Sequence, residues 1–581
     1  GGMGKGGGKG RERGADEAER VFDHPLRRMP PLPGPVQSAL VGALKRAPLL
    51  GEVALAEVYR LTGFDGLARF APAPDLEPME RPPPPPQPVE PLLRGLPPLP
   101  PPGRGPPGVR EYHEAYLSGR SGPADVAEAC IAALGGEEMA RINAVVAFHP
   151  EDIRRQAAES QSRYARGEPL SVLDGLPILV KDEVNVQGYP TTFGTLLLKD
   201  SPAQAGEGAA VGRLRAAGAL LVGKAHMCEV GLSPTTGHNR TFGQCLNPYD
   251  LRRCPGGSSS GSAAAVACGA VPVAVGCDGG GSIRIPAAYC GVVGLKGTYE
   301  RIPFADDPEV AEEVASRSME YLGPIAGSAF DCALVAAVMA GESPPRALPP
   351  PPPRSLACEG LRVGVCWPWT NAAAGPQRRA AAAFVEALVG RGAREVAVAI
   401  PHLGLIQTAH LTIILHEGLD SLGDRYPDCL SKMGMDVKMK LRSADRFLRD
   451  PAMARKGRQV RRIACRIMED VFARCDVLVT PATPRRPPKV PCGWPKAKGD
   501  LNFTTEEFRS MYFMLLGNIT GCPAITTPFA YEGNLPVALQ VMAAPGQDAA
   551  ACRVAGMANV LNNWQQPPGF GQLVPLWQCE K

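Results

Sequence analysis

The sequence predicts an α/β fold in which a large central β-sheet is covered by helices on both faces. From about Val109 onward, short apolar segments alternate with Ala-rich segments of helical spacing. That alternation is typical of layered α/β proteins and favours a substantially parallel sheet. Because no fixed-period repeat divides this stretch, we expect one large domain over residues 109–581 rather than several small ones.

The individual elements follow from the apolar segments. Short runs rich in Val, Ile and Leu predict buried strands, and alanine-rich runs predict helices. The expected strands include Leu176–Val180, Ala219–Val222, Val271–Val275, Leu361–Val365 and Val477–Thr480, and the expected helices include Ala263–Ala267 and Phe330–Ala340.

The residues before the predicted domain differ from it in amino-acid composition. Residues 1–20 are rich in glycine and charge, which predicts a disordered tail. Over residues 21–108 we expect a helical extension followed by a proline-rich linker, with two short helices in residues 36–70. This helix pair either packs on the main domain or touches a lipid surface, and the sequence leaves both interpretations open.

Composition and cysteine spacing argue against several classes of protein. The 62 Lys and Arg residues balance the 58 Asp and Glu residues, and a net charge of +4 does not suggest a nucleic-acid partner. The 17 cysteines contain no CxxC pair, which predicts buried free thiols rather than a zinc site or disulfide framework. With no secretory signal and no apolar run of ~18 residues, we expect an intracellular protein, cytoplasmic or peripheral on the endoplasmic reticulum or plasma membrane.

Three segments contain residues that are unusual for their predicted surroundings. The first is a lysine at the end of a predicted buried strand. Lys181 directly follows the apolar run 176–180. A buried lysine is costly unless it is paired or deprotonated, and burial lowers the pKa of its amine toward that of a useful base. Lys181 is therefore either a catalytic base or an ordinary strand-end lysine that reaches solvent or pairs with Asp182.

The other two segments are loops rich in glycine and serine. Residues 255–262 (PGGSSSGS) lead into the Ala-rich helix, and residues 278–286 (DGGGSIRIP) follow a predicted strand. Three consecutive glycines let backbone N–H groups converge on one point, as an oxyanion hole beside a nucleophilic serine requires. Taken alone, each loop is equally consistent with a glycine-rich turn that has no chemistry.

Two other chemistries fit these segments poorly. A phosphate-binding loop requires a lysine followed by Ser or Thr, whereas the nearest match, Gly218 to Lys224, continues with Ala225. A histidine-based triad lacks its base, because the histidines nearest to these segments are His226 and His238. A Ser–Lys variant of the triad therefore fits better.

Together these segments resemble the amidase signature family. The 255–262 and 278–286 loops resemble its hallmark motifs, Lys181 matches its catalytic lysine, and Ser258 and Ser282 lie 24 residues apart, as in the family. The resemblance covers about residues 110–565 and implies the amidase signature fold, with a large mixed sheet. Further matching segments are Gly323–Ala326, Asp476–Pro481, Gly521–Ala524 and Leu535–Gln540.

The resemblance implies a Ser–Ser–Lys triad that needs no metal and no cofactor. Ser282 is expected to be the nucleophile that forms an acyl-enzyme. Ser258, joined to Gly257 by a cis peptide bond, is expected to relay the proton between Ser282 and Lys181. The family resemblance further implies that Lys181 is kept neutral by burial and acts as the base, later returning the proton to the departing amine.

The remaining site residues are also implied by the resemblance. Ser259, Asp278 and Arg284 are expected to support the triad, although a structural salt bridge between Arg284 and Asp278 is an equally good interpretation. Ser260 stands where most members of the family have Gly. The backbone N–H groups expected to form the oxyanion hole are those of Gly279, Gly280, Gly281 and Ser282.

The N-terminal extension indicates a branch of the family. Together with the serines 258–260, the glycines 279–281 and the segment SVLDG at 171–175, it resembles the plant-type fatty acid amide hydrolases. That resemblance implies hydrolysis of lipid amides such as N-acylethanolamines, a homodimer, and peripheral membrane contact through residues 36–70. It also implies an apolar acyl channel, for which Met514, Leu515 and Leu516 are the candidates.

Two alternatives to this function remain open from sequence. One lies within the family: the glutaminase component of glutamyl-tRNA amidotransferase, or another amidase of small amides, has the same core. The other is a catalytically idle scaffold that recruits partners through its proline runs. The presence of all three triad residues argues against the scaffold.

Overall fold

A mixed sheet of eleven strands forms the centre of the protein. The computed structural model describes residues 64–73, 76–85, 91–95, 105–232, 237–304, 318–348, 356–423, 426–490 and 508–568. The strands of the sheet are β1 (Val145–Ala147), β2 (Pro177–Lys181), β3 (Leu220–Ala225), β6 (Val273–Cys277), β7 (Val293–Lys296), β8 (Leu322–Ala326), β9 (Arg362–Val365), β10 (Arg394–Ala397), β11 (Val477–Pro481), β12 (Ala524–Glu532) and β13 (Leu535–Ala543), while β4 (His238–Asn239) and β5 (Gly243–Gln244) form a separate ribbon.

Helices connect these strands. In chain order they are α1 (Phe64–Arg69), α2 (Val109–Leu117), α3 (Pro123–Gly135), α4 (Glu137–Ile142), α5 (Pro150–Ala165), α6 (Ala209–Ala216), α7 (Ser260–Ala267), α8 (Arg284–Tyr289), α9 (Ala329–Met339), α10 (Trp367–Thr370), α11 (Gly375–Val389), α12 (Leu403–Leu422), α13 (Tyr426–Lys432), α14 (Met435–Leu448), α15 (Pro451–Arg474), α16 (Leu515–Thr520) and α17 (Asp548–Leu561). Proline opens α3, α5 and α15, a position where its fixed φ suits the helix and its missing N–H costs nothing.

The sheet is antiparallel in its centre and parallel on its flanks, apart from the edge strand β1, which pairs antiparallel with β3. Its strand order is β1-β3-β2-β6-β8-β7-β12-β13-β11-β9-β10. Strands β3, β2 and β6 run parallel, as do β11, β9 and β10, whereas every pair from β6 to β11 is antiparallel. The expected substantially parallel sheet is therefore wrong for the centre, where a two-residue turn joins β12 to β13. The large mixed sheet that the family resemblance implied is confirmed.

Strand and helix positions follow the sequence prediction closely, and the exact strand ends matter for the site. Within the predicted main domain, each strand and helix named above is present, with boundaries within three residues. Because β2 and β6 are parallel neighbours, their carboxyl ends lie at the same edge of the sheet. Lys181, the last residue of β2, is thereby brought next to Cys277, the last residue of β6, and to the glycine-rich loop that follows it.

Two apolar cores lie on opposite faces of the sheet. Side chains alternate between the faces along a strand, so Val477 and Val479 of β11 join one core whereas Leu478 joins the other. The first core packs against helices such as α3, α7, α9 and α17. The second packs against α1, α12, α14, α15 and α16. The prediction of helices on both faces is therefore confirmed.

The predicted N-terminal extension is described only in part. The tail at 1–20 and residues 36–63 of the predicted helix pair lie outside the described residues, whereas α1 covers the end of the 36–70 segment. Phe64 and Leu67 of α1 are buried in the second core. The proline-rich segment that follows is held on α15, where Gln459 Nε2 donates to the Leu76 carbonyl at 2.7 Å and Arg462 Nε donates to the Glu77 carbonyl at 2.7 Å. This part of the linker is anchored to the domain.

Free thiols are abundant in the interior. In the described part of the chain, fifteen cysteines are buried and none is in a disulfide, as the cysteine spacing predicted for a chain of free thiols. Burial raises the pKa of thiols such as Cys268 and Cys332 well above the ordinary value. Across the same described ranges, no helix combines the length and apolar character needed to cross a bilayer.

Candidate active site

Lys181 lies at the centre of a buried polar network at the carboxyl end of β2. Its side chain is only 1% exposed. Nζ donates to Ser258 Oγ at 2.8 Å and to the Cys277 carbonyl at 3.3 Å, and it lies 2.7 Å from Oε1 of Glu183. Three acceptors thus surround a nitrogen that, as an ammonium, has three hydrogens to donate. The arrangement suits a protonated lysine.

Glu183 reverses the expected charge state of this lysine. Burial lowers the pKa of the Lys181 amine, but the nearby carboxylate of Glu183 outweighs it, and the pKa is raised above its ordinary value. The expectation that burial keeps Lys181 neutral is therefore wrong for this structure. The sequence contained a possible signal, since Glu183 is two residues along the chain, but its distance from Nζ depends on the fold.

A second acid, Glu320, completes this cluster. It precedes β8 and borders the same cavity as Lys181 and Glu183. Burial, and after it the negative charge of Glu183, raise the pKa of the Glu320 carboxyl well above the ordinary value. The surroundings of Glu320 thus disfavour its charged form. The sequence analysis missed Glu320 because 139 residues of chain separate it from Lys181.

Asp182 belongs to a different ion pair. Side chains alternate along an extended chain, so Lys181 and Glu183 share one face while Asp182 points to the other. There Asp182 Oδ1 lies 3.3 Å from Nζ of Lys224, on the neighbouring strand β3. The alternative in which Lys181 pairs with Asp182 is therefore wrong, because the two side chains lie on opposite faces of the sheet.

The two serine-bearing loops are joined through their backbones. The Gly257–Ser258 peptide bond is cis, as the family resemblance implied. The N–H of Ser259 donates to the Ser282 carbonyl at 3.1 Å, and its hydroxyl donates to the Cys277 carbonyl at 3.3 Å. Ser259 thus links the residue after Ser258 to Ser282. Ser258 and Ser282 both border the cavity, while a proton relay between their hydroxyls stays a prediction.

Asp278 and Arg284 form a fully buried salt bridge below the glycine loop. Arg284 Nη2 lies 2.9 Å from Asp278 Oδ1, and neither side chain is exposed. Although burial alone would raise the pKa of Asp278, Arg284 holds it well below its usual range. The ionised carboxylate accepts the N–H of Gly281 at 2.7 Å and that of Ile283 at 3.1 Å. The salt-bridge interpretation of Arg284 is confirmed, and through Asp278 it shapes the loop.

Of the four backbone N–H groups expected to form the oxyanion hole, the one of Gly281 is engaged elsewhere. Gly281 has a φ of +111°, which favours glycine, and its N–H is already engaged by Asp278. The structure therefore departs from the expected oxyanion hole at Gly281. Among the described residues, the N–H groups of Gly279, Gly280 and Ser282 have no acceptor. These three remain the candidates.

A largely apolar cavity of about 240 Å³ adjoins this polar edge. At one side it is bordered by Lys181, Ser258, Ser282 and the glycine loop. Its other walls are mainly aliphatic and aromatic side chains from the segments after β2 and β3, from α12, from α14 and the residues just before it, and from the segment before α16. They include Phe193, Leu197, Leu198, Val230, Leu232, Leu411, Ile414, Leu415, Leu422, Met433, Leu441, Phe508 and Met511.

The residues predicted to line an acyl channel lie elsewhere. Met514, Leu515 and Leu516 are buried in the second core and do not border the cavity. A Cβ atom at Gly281 would lie 2.7 Å from Met514 Cγ, and one at Gly280 would lie 3.2 Å from Leu515 Cδ2. The prediction was wrong because these side chains pack behind the glycine loop, whereas α12 forms much of the cavity wall.

Metal ligands are not clustered here: no three His, Cys, Asp or Glu side chains in the described ranges stand close enough to hold an ion. The polar groups at the cavity are instead hydroxyls, an amine, two carboxyl groups and backbone amides. Such a set can activate a serine, move protons and stabilise negative charge on a carbonyl oxygen. These are the groups that catalysis of acyl transfer requires.

Known proteins with similar sequence or structure are amide-cleaving enzymes. Residues 126–552 match the family model described as Amidase. A fatty acid amide hydrolase from Medicago truncatula is 33% identical over 470 residues, or 78% of this chain and 76% of that protein. A 1-carboxybiuret hydrolase component, AtzE, from Pseudomonas is 33% identical over 464 residues, or 76% of this chain and 96% of that protein. A component of glutamyl-tRNA(Gln) amidotransferase from Chloroflexus aggregans is 31% identical over 487 residues, or 78% of this chain and 96% of that protein.

Solved structures agree with the sequence relatives. A crystal structure of an amidase superposes with a TM-score of 0.67 at 28% identity, and the match covers 78% of this chain and 98% of that one. The family match, the mixed sheet and the placement of the lysine and both serine loops at one sheet edge all agree. The chain belongs to the amidase signature family and is an amide-cleaving hydrolase.

Proposed function

We propose that this enzyme hydrolyses fatty acid amides, N-acylethanolamines among them, to a free fatty acid and an amine. The observation that carries the proposal is the apolar cavity that ends at Ser282 and the glycine loop. An acyl chain in that cavity would place its carbonyl carbon at the polar edge. The relative from Medicago truncatula is itself named a fatty acid amide hydrolase.

The cavity walls favour an acyl chain over a small polar amide. Burying a methylene group contributes about 0.8 kcal/mol, which corresponds to roughly fourfold in kcat/KM for each carbon added while the cavity still has room. Glutamine, in contrast, would bring an ammonium and a carboxylate beside Leu411, Leu415 and Phe508, where they would lose hydration. The apolar lining thus argues against the glutaminase alternative.

Acylation begins at Ser282 in this proposal. Its Oγ attacks the amide carbonyl, and its proton passes to Ser258 Oγ as the Ser258 proton passes to Nζ of Lys181. The N–H groups of Gly279, Gly280 and Ser282 stabilise the oxyanion. When the C–N bond breaks, Lys181 returns a proton through Ser258 to the departing amine, and a water molecule then releases the fatty acid.

Lys181 must be a free amine before it can accept that proton. In the resting network its ammonium lies 2.7 Å from Glu183, so the proton can move to the Glu183 carboxylate. The product is a neutral amine beside a neutral acid. A substrate that excludes water from the cavity would favour this neutral pair, because charged groups lose more hydration than neutral ones.

Partners form a further part of the proposal. We propose a homodimer and a peripheral membrane contact through residues 36–70, as the resemblance to plant-type enzymes implied. Of that segment, α1 packs on the domain through Phe64 and Leu67, which leaves residues 36–63 for the lipid contact. Sedimentation of the full chain with phosphatidylcholine vesicles, compared with a chain lacking residues 1–63, tests the membrane part.

The Ser282→Ala variant tests the catalytic assignment. We expect it to abolish both fatty amide hydrolysis and labelling by a fluorophosphonate, because both reactions need the same oxygen nucleophile. Ser262→Ala is the matched control: its hydroxyl donates to the Val275 carbonyl at 3.1 Å, on α7 and outside the cavity lining. Labelling that persists in Ser282→Ala would refute the nucleophile, and faster turnover of glutamine than of fatty amides by the wild type would refute the substrate.

A further inference from the structure

The glycine loop is anchored by a histidine that the sequence analysis did not single out. His410 on α12 is fully buried, and its Nε2 lies 2.8 Å from the carbonyl oxygen of Gly279. Since a carbonyl only accepts, Nε2 carries the hydrogen in this contact. Nδ1 is buried without a hydrogen-bond partner among the described residues, and burial lowers the pKa of His410 to about 4. Both observations fit a neutral ring with one N–H.

The anchored carbonyl belongs to the peptide unit that also contains the Gly280 N–H. In a trans peptide the C=O and N–H groups point in opposite directions. Fixing the Gly279 carbonyl on His410 therefore turns the Gly280 N–H away from His410. Gly279 and Gly280 border the cavity, whereas His410 is not part of its lining. His410 thus acts on the loop from behind.

Three consecutive glycines make an external anchor necessary. Glycine populates positive and negative φ about equally, so a Gly–Gly peptide unit can flip at little cost. Asp278 fixes the N–H of Gly281, and Ser259 fixes the carbonyl of Ser282. For the Gly279–Gly280 peptide unit, the hydrogen bond to His410 is the corresponding restraint.

Packing adds to this hydrogen bond. A Cβ atom at Gly280 would lie 3.3 Å from Cε1 of His410 and 2.5 Å from Cε of Met511. The imidazole ring therefore lies directly against Gly280 as well as bonding to Gly279. Ile414, one turn along α12, would contact a Cβ at Gly279 at 3.0 Å. One face of α12 thus packs against both glycines, through Ile414 at Gly279 and His410 at Gly280.

We propose that His410 is a positioning residue for amide hydrolysis, which holds the Gly279–Gly280 peptide so that the Gly280 N–H faces the oxyanion. The inference rests on the proposed function of the glycine loop as an oxyanion hole. His410 touches neither substrate nor the reacting atoms. Its effect is on how well the transition state, rather than the substrate, is bound.

Two variants separate the hydrogen bond from the packing. In His410→Gln the side-chain amide can donate near the position of Nε2, whereas His410→Met fills similar space without a donor. Losing one oxyanion donor costs roughly 10²–10³-fold in kcat. Because the Gly280 N–H is misplaced rather than removed, we expect His410→Met to lose about 10–100-fold in kcat with little change in KM. His410→Gln should recover most of that loss.

Inhibitor affinity distinguishes a positioning role of His410 from a merely structural one, because a structural role would leave this affinity unchanged. A long-chain trifluoromethyl ketone forms an oxyanion on the enzyme, and its affinity should fall in His410→Met by the same factor as kcat/KM. A long-chain alcohol of equal length, which forms no oxyanion, should bind all three proteins equally. Unchanged ketone affinity, equal losses in both variants, or only a lower melting temperature in His410→Met would each overturn the proposal.

The wild type separates failure of this inference from failure of the proposed function. Its turnover of a fatty acyl amide and of a short aryl amide is measured first. If only the aryl amide is hydrolysed, the fatty amide assignment fails, and the His410 variants are compared on the aryl amide. If the wild type is active and His410→Met matches it in kcat, the inference about His410 fails alone.

Discussion

Two buried lysines lie near the carboxyl ends of neighbouring parallel strands, and they differ in the groups that surround them. Lys181 ends β2, and Lys224 lies in β3 directly opposite Val180 in the ladder. Both are paired with an acid, Glu183 at 2.7 Å and Asp182 at 3.3 Å respectively. Lys181 borders the cavity, whereas Lys224 also donates to a backbone carbonyl and to a threonine hydroxyl on the other face of the strands.

The two amines also differ in the direction of their pKa shifts. Burial lowers the pKa of Lys224, and Asp182 does not compensate for it. At Lys181 the same burial is outweighed by Glu183, and the pKa is raised. Similar residue types one strand apart thus form a structural pair and a proposed catalytic pair. The comparison teaches that the face of the strand, more than the residue type, decides which lysine meets a substrate.

The largest expected difference comes from replacing each lysine by methionine. Lys181→Met should lose about 10²–10⁴-fold in kcat, the usual contribution of a general base. It should cost less stability than Lys224→Met, because the acid that it leaves unpaired, Glu183, borders the cavity and is 8% exposed, against 1% for Asp182. Lys224→Met should instead lose about 3–5 kcal/mol of stability, since Asp182 is left buried and unpaired. Steady-state kinetics and urea unfolding of both variants measure the two effects.

The assignment of a catalytic role to Lys181 and a structural role to Lys224 is wrong if the two variants show the opposite effects. An active Lys181→Met enzyme would remove the proposed base. A Lys224→Met enzyme that is fully stable yet inactive would place Lys224 in the catalytic machinery. Kinetics should be corrected for the folded fraction, because a loss of about 3–5 kcal/mol brings a protein of marginal stability close to its unfolding transition.

The next effect is a shift in pH dependence caused by Glu183→Gln. Activity requires Lys181 as a free amine, which forms either by proton transfer to Glu183 or by loss of the proton to solvent. The second route makes activity rise as pH passes through the lysine pKa, and it is the route left in Glu183→Gln. Glu183 raises that pKa, and without its charge the pKa falls, which moves the rise in kcat/KM to lower pH. Asp182→Asn, which changes only the other pair, should leave the rise in place. If the rise in kcat/KM of Glu183→Gln occurs at the same pH as in the wild type or at higher pH, Glu183 does not raise the pKa of Lys181.

The smallest effect concerns the environment of the structural pair. The hydroxyl of Thr192 donates a hydrogen bond to Asp182 Oδ2. Thr192→Val removes this donor from a buried carboxylate, and we expect a loss of about 1–3 kcal/mol in stability with unchanged kcat. Thermal unfolding and kinetics check both parts. A fall in kcat without a fall in stability would show that the two lysine networks are not independent.

Local sequence patterns predicted the parts of the site that lie on contiguous segments. The strand before Lys181 and both serine loops could be located from their own residues. The salt bridge of Arg284 with Asp278 was recognised as an alternative for the same reason, because only six residues separate the partners. Element boundaries shifted by up to three residues, and a shift of one residue placed Lys181 inside β2 instead of after it.

Contacts between distant segments were beyond such patterns. Glu320 and His410 reach the site from the segment before β8 and from α12, and neither lies in a recognisable motif. The charge of Lys181 was mispredicted because burial could be foreseen but the distance to Glu183 could not. For the acyl cavity, the apolar run at 514–516 gave no sign of the direction in which its side chains point.

The reactivity of the buried cysteines would report how often each segment of this enzyme opens to solvent. A maleimide reacts with thiolates that it can reach. The fifteen thiols in the described ranges are buried, and burial raises the pKa of thiols such as Cys277, which disfavours the reactive thiolate. Modification by such a reagent would then proceed only as fast as segments of the protein open. Mass spectrometry of the modified peptides would therefore rank those segments by how often they open, with Cys277 reporting on the floor of the cavity itself.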